Sequence, residues 1–223
     1  MRKIFLLIIF GLVASVAAFG DACGSTGDTL ADYIALGSCT LTGTDLTFSD
    51  FSYTLTGSAA PDAMNVTVVP TIDGAEAGFV FKAGWFAFAG GDTDADIDYN
   101  VSCDGCDLDD WVLEMGGVAL ASDAFANIGE TSPDVSPGLA VGATATSSTL
   151  MDSAPFAPVG SLTVDKDLTI YGGSTPTSIV SKVSSITNLF STTATTTTPE
   201  PALALLCLGA MALIPIARRR FVR

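Results

Sequence analysis

The sequence predicts a mainly β fold: a single β-sandwich of jelly-roll-like order with a short N-terminal helix, bounded by an apolar segment at each end. Three observations predict it. About 180 residues lie between the apolar ends, enough for one domain with its own core. Short runs of apolar and β-branched residues recur through that stretch, separated by Gly, Asp, Asn, Ser or Pro. No series of amphipathic helical repeats accompanies them, so sheet packed on sheet is the way left to bury the apolar faces.

In chain order, Arg2-Lys3, the apolar run Ile4–Val13 and the small-residue motif Val16-Ala17-Ala18 have the build of a secretory signal peptide over residues 1–18, with cleavage after Gly20 as the alternative. The body then spans residues 19–190. Leu30, Tyr33 and Ile34 make a short helical face, with Asp28 or Thr29 as N-cap and Gly37 as the stop. A strand region follows at Leu41–Leu55. Its alternation changes phase at Ser49-Asp50, which predicts a bulge or bend. Further strands are expected at Asn65–Val69 and Gly78–Ala89. Asp96–Cys103 alternates most cleanly, with Ile97, Tyr99, Val101 and Cys103 on one face and Asp96, Asp98, Asn100 and Ser102 on the other. Trp111–Leu120 reads as two short strands around Gly116-Gly117. Ile128–Pro158 reads as mostly loop, with weak strands near Leu139–Ala145. Ser161–Tyr171 reads as two short stretches either side of Asp165-Lys166-Asp167, and Gly172-Gly173 turns the chain. Ile179–Phe190 closes the body as a strand or short helix, its Ser/Thr content favouring strand.

Past the body, a Thr-rich spacer at 191–198 leads into Pro199-Glu200-Pro201, an apolar run from Ala202 to Ala217, and Arg218-Arg219-Arg220. As a helix, residues 202–217 would be about 24 Å long, short of the ~30 Å hydrocarbon core of a bilayer. Snorkelling arginines and local thinning cover such a mismatch at modest cost. The Arg cluster belongs on the cytoplasmic side. The three parts in this order resemble a PEP-CTERM sorting signal over residues 199–223. That resemblance implies an exosortase as partner and cleavage near Pro199-Glu200-Pro201. It also implies transient anchoring in the inner membrane through 202–217, and delivery to the cell surface or extracellular space. A permanent membrane anchor is the plainer reading of the same segment. The stretches Leu30–Leu41, Leu46–Tyr53 and Val164–Gly173 likewise resemble exported PEP-CTERM proteins with no established activity. They imply an address and an architecture rather than a chemistry.

Charge bounds the partners. Between the two end segments Lys82, Lys166 and Lys182 face 23 carboxylates, a net charge of about −20 over residues 19–198. Such a surface repels nucleic acid and anionic lipid, and it favours solubility and weak divalent-cation binding. The chain has no histidine, which removes Ser-His-Asp and Cys-His catalysis. Any enzyme built here would rely on carboxylates, and no carboxylate pair stands out among so many. The body is expected to be non-enzymatic and to need no cofactor.

Cys23, Cys39, Cys103 and Cys106 remain once Cys207 leaves with the tail. Four cysteines in an exported chain imply two disulfides and allow three connectivities; Cys23–Cys39 and Cys103–Cys106 are favoured. A redox pair at Cys103-Asp-Gly-Cys106 would need a helix N-terminus that the pattern lacks. A zinc site would normally bring a second CxxC. Asp92, Asp94, Asp96 and Asp98, following Gly90-Gly91, are the calcium candidates if the segment is a loop, and plain solvent-facing residues if it is a strand. The EF-hand pattern fails, since Ile97 stands where its glycine belongs. Trp85, Phe86 and Phe88 would suit a sugar-stacking platform, although aromatic residues in a strand are usually core. Together these readings predict a structural or adhesive protein associated with exopolysaccharide. A carbohydrate-binding module or degenerate glycosidase is the alternative.

Overall fold

The computed structural model describes residues 21–195, apart from 25–26, 58, 119, 121 and 175–180. The signal-peptide, PEP-motif, transmembrane and Arg-cluster readings (Pro199, Glu200, Pro201, Arg218, Arg219 and Arg220 among them) lie outside the described residues. Among the described residues, no helix is long and apolar enough to cross a membrane.

The described part of the body opens with the α-helix α1 (Leu30–Leu36). Thr29 caps it in a capping box: its hydroxyl accepts from the Asp32 amide, and the Asp32 carboxylate accepts from the Thr29 amide at 2.9 Å. Gly37, at φ 79°, ends it. With only seven residues, the helix turns Leu30 and Tyr33 into the core and leaves Ile34 39 % exposed, so the buried pair is i, i+3 and excludes Ile34.

Among the described residues, twelve strands follow. They are β1 (Ser38–Thr40), β2 (Leu46–Gly57), β3 (Thr67–Asp73), β4 (Glu76–Ala87), β5 (Asp92–Cys103), β6 (Cys106–Gly116), β7 (Phe125–Thr131), β8 (Leu139–Thr144), β9 (Ser148–Thr149), β10 (Met151–Val159), β11 (Ser161–Tyr171) and β12 (Ser181–Ala194). They form two antiparallel sheets, a seven-stranded one in the order β1-β2-β5-β11-β7-β8-β9 and a five-stranded one in the order β10-β6-β12-β4-β3.

Four segments differ from the sequence expectation. Leu41–Leu55 is not one strand, because a turn at residues 42–45 makes a hairpin of β1 and β2; the predicted bulge does lie between Ser49 and Ser52, with Asp50 at φ 55°. The apolar stretch around Trp111 is one strand, β6, which starts at Cys106 and stops at the Gly116-Gly117 pair. The segment 128–158, expected to be mostly loop, carries all of β8 and β9 and most of β7 and β10. β10 contains Pro155 and Pro158 and is tolerated as a strand because it lies at a sheet edge, where missing donors cost no ladder bond. Ser161–Tyr171 is a single unbroken strand in which Leu162, Val164, Lys166, Leu168 and Ile170 all point inward.

The inner faces of the two sheets share one core. Phe79 of β4 is its hub. Its ring stands 5.4 Å from Tyr33 of α1, 4.5 Å from Phe48 and 5.9 Å from Phe51 of β2, and 6.2 Å from Phe81. Phe48 also meets Phe190 of β12 at 6.1 Å, and Tyr99 of β5 stacks on Phe51 at 5.3 Å. Rings from both sheets and the helix are thereby locked in one contact set of edge-to-face and offset pairs.

A polar cluster is sealed inside this apolar core. Lys166 of β11 and Glu130 of β7 are directly opposite one another in register, with Nζ 2.8 Å from Oε2, and they are 1 % and 0 % exposed. Asn188 reaches them from the other sheet: Lys166 Nζ donates to its Oδ1 at 2.6 Å. The Tyr99 hydroxyl donates to the same Oδ1. Asn188 Nδ2 donates to Glu130 Oε1 at 2.9 Å and to the Val112 carbonyl at 3.0 Å. Buried charge is costly unless paired and hydrogen-bonded, and here each charged group finds a partner. β12 and β4 approach so closely beside this cluster that a Cβ on Gly78 would collide with the Asn188 carbonyl, which fixes glycine there.

Candidate functional site: an acidic sheet face

The outward side chains of β5 and β11 form one acidic surface. Antiparallel register sets Asp98 opposite Asp165 and Asp96 opposite Asp167, with Asp94 opposite Thr169. Period-two alternation places these carboxylates outside because Ala95, Ile97, Tyr99, Leu168 and Ile170 between them are taken by the core. β2 adds a row of hydroxyls on one flank: Ser52 donates to Asp98 at 2.8 Å and Thr54 to Asp96 at 2.9 Å. Thr169 donates to Asp94 at 3.1 Å. On the other flank β7 sets Gly129 beside Asp167 and Thr131 beside Asp165. Gly129 carries no side chain, and a groove of about 450 Å³ opens there, lined by Asp96, Asp98, Gly129, Thr131, Asp165 and Asp167.

Like charges directly opposite on neighbouring strands repel. Partial burial raises the pKa of Asp165, and the facing Asp98 and Asp96 raise it further. Burial and then Asp94 do the same to Asp167. On the other sheet, Glu76 and Asp110 are also raised, first by burial and then by neighbouring carboxylates. Among the described carboxylates with a resolved shift, only Asp32 is pulled down, by its Thr29 hydrogen bonds.

The sign of the pH effect follows. Where folding raises a carboxyl pKa, the native state holds more protons than the unfolded chain over the window above the ordinary carboxylate value. Stability is then present below that window and is lost as pH rises through it. Melting temperature is therefore expected to be higher at about pH 5 than at about pH 7, and to rise with added salt at neutral pH. Thermal scans across pH and salt check this. A melting point that falls on mild acidification and ignores salt contradicts it.

The four calcium candidates lie along a strand instead of in a loop. Asp94, Asp96 and Asp98 share the outward face of β5, and Asp92 starts that strand opposite Tyr171. Among the described residues, no group of three or more Asp, Glu or Cys side chains is gathered closely enough to hold a metal ion. The face offers hydrogen-bond acceptors and negative potential, which suit hydroxyl-rich or cationic ligands.

Cys23 and Cys39 pair as a disulfide with Cα atoms 4.9 Å apart, tying the segment before α1 to β1. Cys103 and Cys106 pair across the Asp104-Gly105 turn with Cα atoms 5.2 Å apart. Both separations lie in the usual disulfide range. The stacking-platform reading is corrected in part: Trp85 is wholly buried and donates to the Tyr53 hydroxyl at 3.3 Å, whereas Phe86 and Phe88 form an outer pair at 5.1 Å, with Phe88 57 % exposed.

Asp165 and Asp167 are the site residues that the sequence reading missed. They were hidden by treating Asp165-Lys166-Asp167 as a break between strands. The signal was present: Leu162, Val164, Leu168 and Ile170 keep one period of two straight through Lys166.

No protein-family model matches the chain. No curated protein matches it either. Among solved structures, the carbohydrate-binding module TmCBM61 in complex with beta-1,4-galactotriose aligns over 61 % of this chain and 86 % of its own, at 9 % identity and a TM-score of 0.30. An overlap that low carries no argument about fold or ligand here.

Proposed function

We propose that this is an exported, non-enzymatic protein of the cell surface or extracellular matrix, with a structural or adhesive role alongside exopolysaccharide. An exosortase sorts and processes it through Pro199-Glu200-Pro201, the 202–217 segment and Arg218-Arg219-Arg220. Its body is a jelly-roll-like β-sandwich.

One observation carries the reading. The last described strand, β12, lies in the middle of its sheet between β6 and β4, and it pairs as far as Ala194 with Cys106. The Thr195 hydroxyl then donates to the Gly105 carbonyl at 2.8 Å. The described strands thus end at Ala194, a few residues before the PEP-CTERM-like tail, where cleavage near Pro199 would leave all twelve of them intact. Two disulfide pairs suit an oxidising compartment. The net negative charge of the body makes nucleic acid a poor partner.

Fractionation of cells with and without exosortase activity tests it. The protein is expected in medium and envelope when the enzyme is active, and in the inner membrane when it is not. Inner-membrane retention in both strains contradicts the reading. The acidic groove favours a second reading, a carbohydrate-binding module. Affinity electrophoresis distinguishes the two: retention by a polysaccharide that is lost in Asp165→Asn and Asp167→Asn supports binding through the groove. Unchanged mobility leaves the groove as a solvated face. Hydrolysis abolished by one such change would instead indicate an enzyme.

A further inference from the structure

We propose that Lys166 and Asn188 become joined by an intramolecular isopeptide bond, formed with the help of Glu130 and releasing one ammonia. The bond would covalently link β11 of one sheet to β12 of the other.

The reaction needs an amine nucleophile, an amide carbonyl and a proton carrier held together away from water, and the core holds all three. Lys166 Nζ is 2.6 Å from Asn188 Oδ1, one bond from the Cγ it would attack. Glu130 touches both nitrogens whose protons must move: Oε2 is 2.8 Å from Lys166 Nζ, and Oε1 accepts from Asn188 Nδ2 at 2.9 Å. The Tyr99 hydroxyl donates to Asn188 Oδ1, where negative charge develops as the carbonyl carbon becomes tetrahedral. Lys166, Glu130, Asn188 and Tyr99 are each at most 1 % exposed, so water is kept from competing for the carbonyl.

The steps balance. Proton transfer from Lys166 to Glu130 gives a neutral amine and a neutral carboxylic acid. Burial favours this state on both partners, lowering the pKa of Lys166 and raising that of Glu130, while the ion pair itself opposes the shift. The amine lone pair adds to Asn188 Cγ, and the new C–N bond leaves Nζ with a proton to lose. Glu130 takes that proton from Nζ and delivers one to Nδ2. The Cγ–Nδ2 bond breaks and ammonia departs. One amide is exchanged for another, nothing is oxidised or reduced, and Glu130 ends as the neutral acid, holding the first proton that Lys166 gave up. Holding the reactants in contact supplies the effective concentration that an amide, a poor electrophile, requires.

The arrangement also accounts for an otherwise unfavourable choice. A lysine at an inward strand position, where Leu162, Val164, Leu168 and Ile170 are its counterparts, must bury a charge that an apolar residue would not carry. Conversion to an amide removes the charge from Lys166 and keeps the tie between the sheets.

Peptide mapping of the full-chain protein, recovered from producing cells and then reduced and denatured, tests the proposal. The expected result is that trypsin fails to cut after Lys166, and that the peptide containing Lys166 is found linked to the one containing Asn188, their summed mass short by one ammonia. In Glu130→Gln the link is expected to be absent, with near-ultraviolet circular dichroism confirming that the variant is folded. Separate, unmodified Lys166 and Asn188 peptides from the wild-type protein overturn the proposal. So does an ammonia loss that maps to any other asparagine, or a link that persists in Glu130→Gln.

Discussion

Glu130→Ala is expected to lower the free energy of unfolding by about 3–5 kcal/mol, the range for stripping one partner from a buried ion pair. The reason lies in what remains. Lys166 is 1 % exposed, and its nearest opposite charge is the Glu130 carboxylate at 2.8 Å. Without it, the ammonium must stay buried uncompensated or lose its proton, and Asn188 Nδ2 loses one of its two acceptors. Loss of the proposed cross-link would add to the figure. Glu130→Gln, which retains an acceptor oxygen for Asn188, is expected to cost less than the alanine change. Urea unfolding followed by tryptophan fluorescence measures both. A cost below about 1 kcal/mol for Glu130→Ala, within the range of exposed ion pairs, would mean that water reaches the cluster.

Phe79→Ala is expected to cost a similar amount, about 3–5 kcal/mol, through a different mechanism. Phe79 is wholly buried, and its ring contacts Tyr33 from the helix and Phe48 and Phe51 from the opposite sheet. Truncation removes apolar burial and opens a cavity between two sheets whose backbones cannot close over it. Tyr33 and Phe51 also touch each other, at 5.3 Å, so the helix should stay docked but loosely. The denaturant midpoint should therefore fall while the slope of unfolding stays the same. A reduced slope would show instead that the helix has detached from the native state.

Sequence periodicity foretold the β character, the capped helix at Leu30, the bulge near Ser49 and the inward set on β5. Each rests on local physics: alternation, capping chemistry or a phase change within one strand. The misses needed partners distant in the chain. β10 was hidden by Pro155 and Pro158, which only an edge position excuses. β11 was split at Lys166 because a lysine reads as an outward residue until Glu130 is seen opposite it. The acidic face was half visible for the same reason: Asp94, Asp96 and Asp98 are adjacent in sequence, whereas Asp165 and Asp167 join them only through the register of β5 with β11. Asn188 carries no local signal, since its role depends on three residues from the other sheet.

The export reading joins a tail with the order of a sorting signal to a body whose last described strand ends at Ala194, before that tail begins. Intact-mass analysis of the protein from medium and envelope, in cells with and without exosortase activity, examines both halves at once. The account predicts a mature C-terminus near Pro199 in the normal cell and an uncut tail when the exosortase is missing. A C-terminus still at Arg223 in normal cells would make 202–217 a permanent anchor and remove the basis for a matrix role.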